Sequence, residues 1–415
     1  MAGSPRAQDR PQKVFDTPVG RKARIRLYDK VCFGLGTLGA IWLAVTLAAT
    51  TPQLSWTSVV ALVLMWAVLA YLALPRLNRM MAAIYVPDYF IGRTRTSDGL
   101  LGDPLNLAVR GTGQQLATAM SRAGWILADP VTVGTSVKIV RSSLTRRSYP
   151  RAPVSPLMLF DRAQDAAYQQ EVEGNPAQRH HVRFWRTPQG WPLPGGAHVD
   201  WLAAGTYDRR VGLSLFTLQV THKIDADIDV ERDFIVDSVR RAEPAVGVHV
   251  LRDFTTGYHS RNGGGDSVRT DGNLPVLDVS AVEHDPDAPD LCSRPPDGVP
   301  LQVWLPVLLN LLVAPAVVWS TLRSWPGPGS DHVLAVVAVV GSVAIAVMAL
   351  SMFARSALAR RVLLAVTAVV ALGHVGGLGL ADARGLETGH ALGATVAILM
   401  LVALSSPRAT EWTTR

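Results

Sequence analysis

Reactive side-chain types gather most densely in the string Arg179-His180-His181-Val182-Arg183-Phe184-Trp185. Written as a strand, it puts His181, Arg183 and Trp185 on one face and Val182 and Phe184 on the other. That grouping suits an anionic group, because a guanidinium fork binds two oxygens and an imidazole gives or takes a proton near neutral pH. A solvent-facing edge strand with ordinary polar residues is the plainer reading. A second string, 221–229 (THKIDADID), carries a DxDxD spacing. It fails as an EF-hand loop, since Val230 stands where Gly is needed and Val236 where Glu is needed. Asp227 and Asp229 fit better at the positive start of a helix, with Asp229 capping residues 230–242. His222 precedes them at a strand end, a common place for functional side chains. In the third string, Arg261-Asn262-Gly263-Gly264-Gly265-Asp266, the glycines could bring backbone N–H groups to an anion or simply form a loose loop. No Gly-Lys-Ser/Thr follows, so it is not a P-loop. The sequence shows no zinc pattern, GxSxG elbow or Rossmann fingerprint, and no metal or cofactor is expected.

The elements that would position these residues lie between 85 and 284. Strands are expected near 105–109, 182–185, 211–220, 247–251 and 274–279. Thr112 is suited to cap a helix over 113–123 with Leu116, Ala119, Met120 and Ala123 on one face. In the second helix, 230–242, Phe234 and Val239 supply the apolar side. Runs of strands with two or three helices suggest an α+β domain. A Pro/Asp-rich linker over 285–300 ends it.

Both flanks are apolar. No charged residue occurs between Lys30 and Arg76, or within Gly298–Leu322, His332–Ala354, Val362–Ala381 and Thr388–Pro407. Each stretch has at least the ~20 residues that a helix needs to cross the hydrocarbon layer, where backbone groups must pair internally. The first stretch is long enough for two helices, near 31–50 and 57–75, joined at Thr51-Pro52-Gln53. Four more follow near 301–322, 333–354, 362–381 and 388–405. The expected fold class is a membrane protein with about six α-helical spans and a soluble α+β domain between spans two and three. In chain order this gives a basic tail (1–30), two spans (31–76), the domain (85–284), the linker (285–300), four spans (301–405) and a tail (406–415). Residues 1–20 read as disordered. Residues 21–30 form either a basic interfacial segment or an orientation signal only.

The formal charge of +7 misleads if taken globally. Residues 83–300 hold 23 Lys and Arg against 26 Asp and Glu, a net of −3, so the positive charge belongs to the apolar part and its tails. A nucleic-acid partner is therefore not expected. Arg makes up 35 of the 40 basic residues, the bias of a high-GC genome. Fifteen basic residues flank the spans on the side of both termini and the domain, against only Arg323 and Arg384 on the other. The positive-inside rule then puts the termini and the domain in the cytoplasm of a multi-pass cell-membrane protein. In that compartment Cys32 and Cys292 are expected as free thiols.

Several strings together resemble the LssY C-terminal domain family. They are Asp103-Pro104-Leu105-Asn106, Ala123-Gly124-Trp125 with Ala128-Asp129, and Pro153-Val154-Ser155-Pro156-Leu157 with Leu159-Phe160, Arg162 and Gln164-Asp165. The 179–185 string follows, then Thr206-Tyr207-Asp208, Thr221-His222 with Glu231-Arg232-Asp233, and Asn262-Gly263-Gly264-Gly265-Asp266 with Thr270-Asp271-Gly272. The resemblance runs from about residue 100 to 280. The family takes its name from a proposed secretion-system component, and its domain is often fused to DedA-like or type 2 phosphatidic acid phosphatase modules. None of the apolar stretches here carries the phosphatase pattern, so that activity does not transfer. The resemblance implies that the 179–185 string and His222 belong to a site of some kind.

Two functions are compatible with these residues. In the first, the spans anchor a cytoplasmic domain that binds a small anionic ligand or a membrane-protein partner, within an envelope or secretion-related assembly. Arg162, Trp185, Asn262 and Asp266 are ligand-binding candidates. In the second, the domain is a hydrolase acting on a phosphorylated or lipid head group. There His180 or His181 would be base or nucleophile, Arg183 and Arg162 would hold the anion, Asp208 would orient a His and His222 would be the acid. That chemistry requires the imidazoles of His181 and His222 to lie within roughly 10 Å, the reach of direct or single-water proton relay. A transporter has less to stand on: beyond His374 and Asn310 the spans are nearly free of polar groups, though Pro306 and Pro315 could break span three. His374, among glycines, reads as a helix-packing residue.

Overall fold

The computed structural model describes residues 27–49, 56–86, 90–130, 134–135, 138, 149–172, 175–214, 217–255, 257–289, 291, 299–325, 330–380 and 388–414. The tail before residue 27, the Thr51-Pro52-Gln53 turn, Cys292 and Arg384 lie outside them, as does most of the Pro/Asp-rich linker after residue 289. In chain order the helices are α1 (Leu27–Ala49), α2 (Trp56–Val68), α3 (Leu74–Tyr85), α4 (Gly113–Arg122), α5 (Ile228–Ala242), α6 (Leu301–Arg323), α7 (Ser330–Ser351), α8 (Ala357–Leu380), α9 (Thr388–Leu404) and α10 (Pro407–Thr414). The strands are β1 (Arg93–Thr96), β2 (Leu101–Pro104), β3 (Leu107–Arg110), β4 (Ile126–Leu127), β5 (Leu157–Leu159), β6 (Arg162–Ala163) and β7 (Ala166–Val172). They continue with β8 (Asn175–Arg186), β9 (Trp201–Leu213), β10 (Val220–Ile224), β11 (Gly247–Leu251), β12 (Tyr258–Arg261), β13 (Ser267–Thr270) and β14 (Leu274–Asp278). Two compact units result: residues 78–295 form the sheet unit, while 21–77 and 296–415 form the helical one.

The helical unit draws on both ends of the chain. Among the described residues, five helices are long and apolar enough to cross a membrane. A sixth counts if Gly393–Leu404 and Pro407–Thr414, bent by 56°, are one span. The second stretch runs past its expected end at 76. A π-helical turn, Leu69–Ala73, joins α2 directly to α3, just before Pro75. Proline lacks an N–H and crowds the preceding turn, and a π turn relieves both. Pro306 and Pro315, which could have broken span three, do not: α6 continues through both, and the Asn310 side chain donates to the Pro306 carbonyl at 2.8 Å. Gly393 lets α9 approach His374; a Cβ there would lie 2.5 Å from the imidazole. Arg360, almost fully buried, pairs with Asp29 at 2.8 Å and reaches the Tyr28 hydroxyl and Leu404 carbonyl, tying α1 to α8 and α9.

The sheet unit is built on a large sheet in the order β11-β14-β3-β9-β8-β7-β4. Among the described strand pairs of this sheet, β14–β3 is parallel and the others are antiparallel. Strand β9 is long enough to pair with β3 at its start and with β10 at its end, so β10 takes the edge that β3 vacates. A smaller sheet, β2-β1-β5-β6, forms a second layer. Alternation along the strands feeds two cores. Val182, Phe184, Tyr168, Ala203 and Leu107 pack with Leu116 and Met120 of α4 and Ile235 and Val239 of α5. On the other face Trp185, Leu202, Ala204 and Ala108 pack with Leu157 and Leu159 of the smaller sheet.

Local chemistry sets the helix starts. Thr112 caps α4 through a reciprocal capping box with Gln115. Asp227, not Asp229, caps α5, which starts at Ile228. Asp229 is drawn off instead to the Thr270 hydroxyl and the Asp271 N–H. The single strand expected over 211–220 is a hairpin: Ser214 accepts from the Leu218 N–H and donates to the Gln219 carbonyl, and Leu218 takes a left-handed φ of 55°. Ser214 and Thr217 supply the turn chemistry inside an apolar run.

Asn106, fully buried, locks α5 onto β9. Its amide donates to the carbonyls of Gly205 and Ile228 at 2.9 and 3.1 Å, and its oxygen accepts from the Gly205 N–H at 2.8 Å. A Cβ on Gly205 would stand 2.3 Å from Ile235 Cδ1. Gly205→Ala should therefore destabilise the sheet unit by about 1–3 kcal/mol through overpacking, read as a lower urea midpoint. An unchanged midpoint contradicts this packing.

Candidate functional site

Strand β8 presents its odd residues to the smaller sheet and its even ones to α5, so the two adjacent histidines enter different environments. His180 lies on the helix side. Its Nδ1 meets Glu231 Oε2 at 2.7 Å and its ring stacks on Phe234 at 4.0 Å between centroids. Burial pushes the Glu231 carboxyl up, opposed by the His180 contact. This pair is separated by the sheet from the other candidates and forms part of the packing under α5.

His181 lies on the opposite face, paired across the ladder with Thr206, while Asp208 sits two residues further along β9. His222 arrives from β10, which pairs with the same end of β9. Asp208 Oδ2 is 3.5 Å from His181 Nδ1 and 3.4 Å from His222 Nδ1. Sharing one oxygen, the two Nδ1 atoms are no more than about 7 Å apart, inside the span of a single-water proton relay. Thr206 Oγ1 closes the other side of His181, 2.7 Å from Nε2.

Electrostatics fix the protonation. Burial alone would raise the Asp208 carboxyl, but His181, His222 and Arg183 outweigh it and hold Asp208 below the usual carboxylate range. A carboxylate only accepts hydrogen bonds. In each facing imidazole Nδ1 is therefore the atom placed to donate to Asp208, while Thr206 Oγ1 pairs with His181 Nε2. Burial pushes His222 below its ordinary value, and its neighbours His181, Arg179 and Arg183 add to the shift; Asp208 opposes it. Its side chain is nevertheless 44% exposed, against 6% for His181 and 9% for Asp208. His222 is thus the outward end of a buried His–Asp pair. With Nδ1 turned to Asp208, its Nε2 makes no hydrogen bond or ion pair among the described residues.

The two expected anion clamps are occupied. Arg183 is buried and donates to Asp103 Oδ2 at 3.1 Å and to the Ser155 carbonyl at 3.3 Å, pinning the smaller sheet to the larger one. Burial draws its guanidinium down, and Asp103 and Asp208 oppose that. Arg162 holds Asp165 and the Arg186 carbonyl, away from His181. Trp185 is fully buried in the core, its indole N–H without a partner among the described residues. The glycine string is a self-satisfied turn. Asn262 Oδ1 accepts from the Gly264 and Asp266 N–H groups, and Asp266 holds Lys223 at 3.0 Å. Of the residues singled out in the sequence, the fold brings together His181, Arg183, Asp208 and His222. It leaves His180, Arg162, Trp185, Asn262 and Asp266 elsewhere.

Three contributors went unrecognised as site residues. Asp103 neutralises Arg183 from 80 positions away, which no local pattern reveals. Thr206 was legible in principle, two positions before Asp208 on the same strand face. Gln169 links Arg179 Nη1, at 3.4 Å, to the Ala152 carbonyl and continues the polar row across β7. Neither of two surface cavities in this unit, of about 330 and 510 Å³, is lined by His181, Asp208 or His222. Among the described residues no group of three or more His, Cys, Asp or Glu is placed to hold a metal ion.

Residues 83–274 match the family model described as LssY C-terminus, the family that the strings of this segment resemble. No curated protein and no solved structure matches the chain.

The depressed His222 has a pH signature. Its contribution to stability is complete above the unfolded value near 6.5 and is lost as pH falls from there through the lower folded value. Because the ring is partly exposed, the effect is modest. Between pH 7.5 and 5.5 the melting temperature of the full chain should fall, and more steeply than that of His222→Gln. Parallel profiles contradict the assignment.

Proposed function

We propose that the chain is a multi-pass membrane protein whose LssY C-terminal domain faces the cytoplasm and binds a ligand or partner at His222. The membrane part is supported by the apolar helices, which occur on both sides of the domain and pack as one unit. Orientation is supported by the basic residues flanking them. The observation that carries the binding role is the half-exposed imidazole of His222, held by a buried carboxylate that also holds His181. A neutral His222 with its Nδ1 proton on Asp208 presents an acceptor lone pair at the surface. It suits a group with a hydrogen-bond donor, such as an ammonium, a hydroxyl or a protonated phosphate.

The paired arginines favour binding over catalysis. A hydrolase of phosphorylated head groups needs a free cation at the leaving or transferred phosphate, and both Arg183 and Arg162 are committed to carboxylates. The hydrolase keeps one supporting feature: Asp208 behind His222 is the arrangement that orients a general base.

The test uses the full-length protein in detergent, with phosphoethanolamine, glycerol phosphate and inorganic phosphate as probes. At least one donor-bearing probe should raise the melting temperature, and His222→Gln should abolish the shift while leaving the unliganded melting temperature close to the parent's at pH 7.5. A protein that responds to none of them and retains no partner on affinity purification contradicts the binding role. Release of inorganic phosphate from phosphoethanolamine, lost in His222→Gln, replaces it with the hydrolase.

A further inference from the structure

Beyond Asp208 the β9–β10 pair leaves the body of the sheet as a hairpin. Directly opposite residues share a face of an antiparallel pair. Val220 stands opposite Leu213, and His222 opposite Val211. These three apolar side chains therefore lie on the same face as the candidate site, and they are 50%, 55% and 54% exposed at Val211, Leu213 and Val220. A contiguous exposed apolar cluster of this kind is a feature of interaction surfaces. At the base of the hairpin stand Arg209 and Arg210, both exposed. Arg209 has only a long, exposed contact with Asp225 at 3.8 Å, and Arg210 forms no ion pair among the described residues. At ~3.4 Å per residue, the arginines lie about 10–14 Å along the strand from Leu213. An apolar tip with a basic collar at that spacing matches the boundary between acyl chains and phosphates, where interfacial elements sink their apolar side ~5–10 Å.

We infer that the β9–β10 hairpin is a lipid-contacting element, with Val211, Leu213 and Val220 entering the head-group region of an anionic bilayer and Arg209 and Arg210 meeting its phosphates. The inference rests on the membrane reading of the helices but not on the ligand proposed for His222. Charge complementarity selects lipid over an unspecified protein face: each basic residue near an anionic surface favours it by roughly fivefold. Tethering helps as well. Only residues 86–92 separate the apolar helix ending at Tyr85 from β1, a reach of at most about 25 Å. The local concentration of any bilayer holding that helix is therefore high.

The test uses the full chain carrying Cys32→Ser and Cys292→Ser, with one new cysteine at Leu213→Cys, Val230→Cys or Leu372→Cys, each labelled with an environment-sensitive NBD probe. Val230 is exposed on α5, away from the hairpin, and Leu372 is exposed on the apolar helix α8. Each protein is reconstituted into phosphatidylcholine vesicles with about one quarter phosphatidylglycerol and challenged with nitroxide-labelled lipid. The probe at Leu213→Cys should be quenched at least about twofold more than at Val230→Cys, and adding Arg209→Glu with Arg210→Glu should remove about half of that excess. Quenching at Leu372→Cys but no excess at Leu213→Cys overturns the hairpin contact and leaves the membrane reading standing. No quenching at Leu372→Cys overturns the membrane reading, and the hairpin contact with it. A blue-shifted Leu213→Cys probe that lipid nitroxides do not quench shows that protein covers the tip, and also overturns the inference.

Discussion

The sheet unit depends on one buried carboxylate. Asp208 sits where three strands meet, with β8 on one side of it and β10 on the other. A lone carboxylate in that position would be driven toward its neutral form. It stays ionised because two imidazoles and a guanidinium converge on it. The same charge favours a proton on the Nδ1 that faces it in each imidazole, and with that proton there His222 offers solvent an acceptor. Asp103 repeats the device one layer away, neutralising Arg183 where the smaller sheet meets the larger. The polar face between the sheets is thus a set of matched charges that reaches solvent at His222.

This arrangement explains why adjacent histidines have unrelated surroundings. His180 and His181 are neighbours in sequence, but the pleat sends one beneath α5 against Glu231 and the other toward Asp208. Strand periodicity made that division legible in advance: His181, Arg183 and Trp185 share one face of β8, though only the first two join the polar cluster. It could not reveal that Arg183 would be neutralised by a residue on another strand, or that Trp185 would be sealed into the core. Pairing partners far apart in sequence come from sheet order, and sheet order is not written in local pattern. The hairpin shows the same limit. Residues 211–220 are apolar enough for one strand, and only the turn chemistry of Ser214 and the left-handed Leu218 divide them. At Asp229 a tertiary demand from Thr270 and Asp271 displaced the local one, and Asp227 became the cap.

The apolar helices were the most legible feature, because the absence of charge over long stretches needs no partner to interpret. What the pattern missed is how prolines are absorbed. Pro75 follows a π turn, and α6 passes through Pro306 and Pro315 unbroken. The helical unit also buries charge of its own, with Arg360 on Asp29, so the ends of α1, α8 and α9 are joined by more than apolar packing.

The central claim is that Asp208 holds His181 and His222 together through their Nδ1 atoms. Nitrogen-15 NMR of the histidine-labelled full chain at pH 7.5, with Asp208→Asn as reference, tests it most directly. The account predicts a protonated Nδ1 on both rings, with His222 neutral and its Nε2 bare, and a change in both signals on substitution of Asp208. An Nε2-protonated His222, or a His222 signal indifferent to Asp208→Asn, would contradict it.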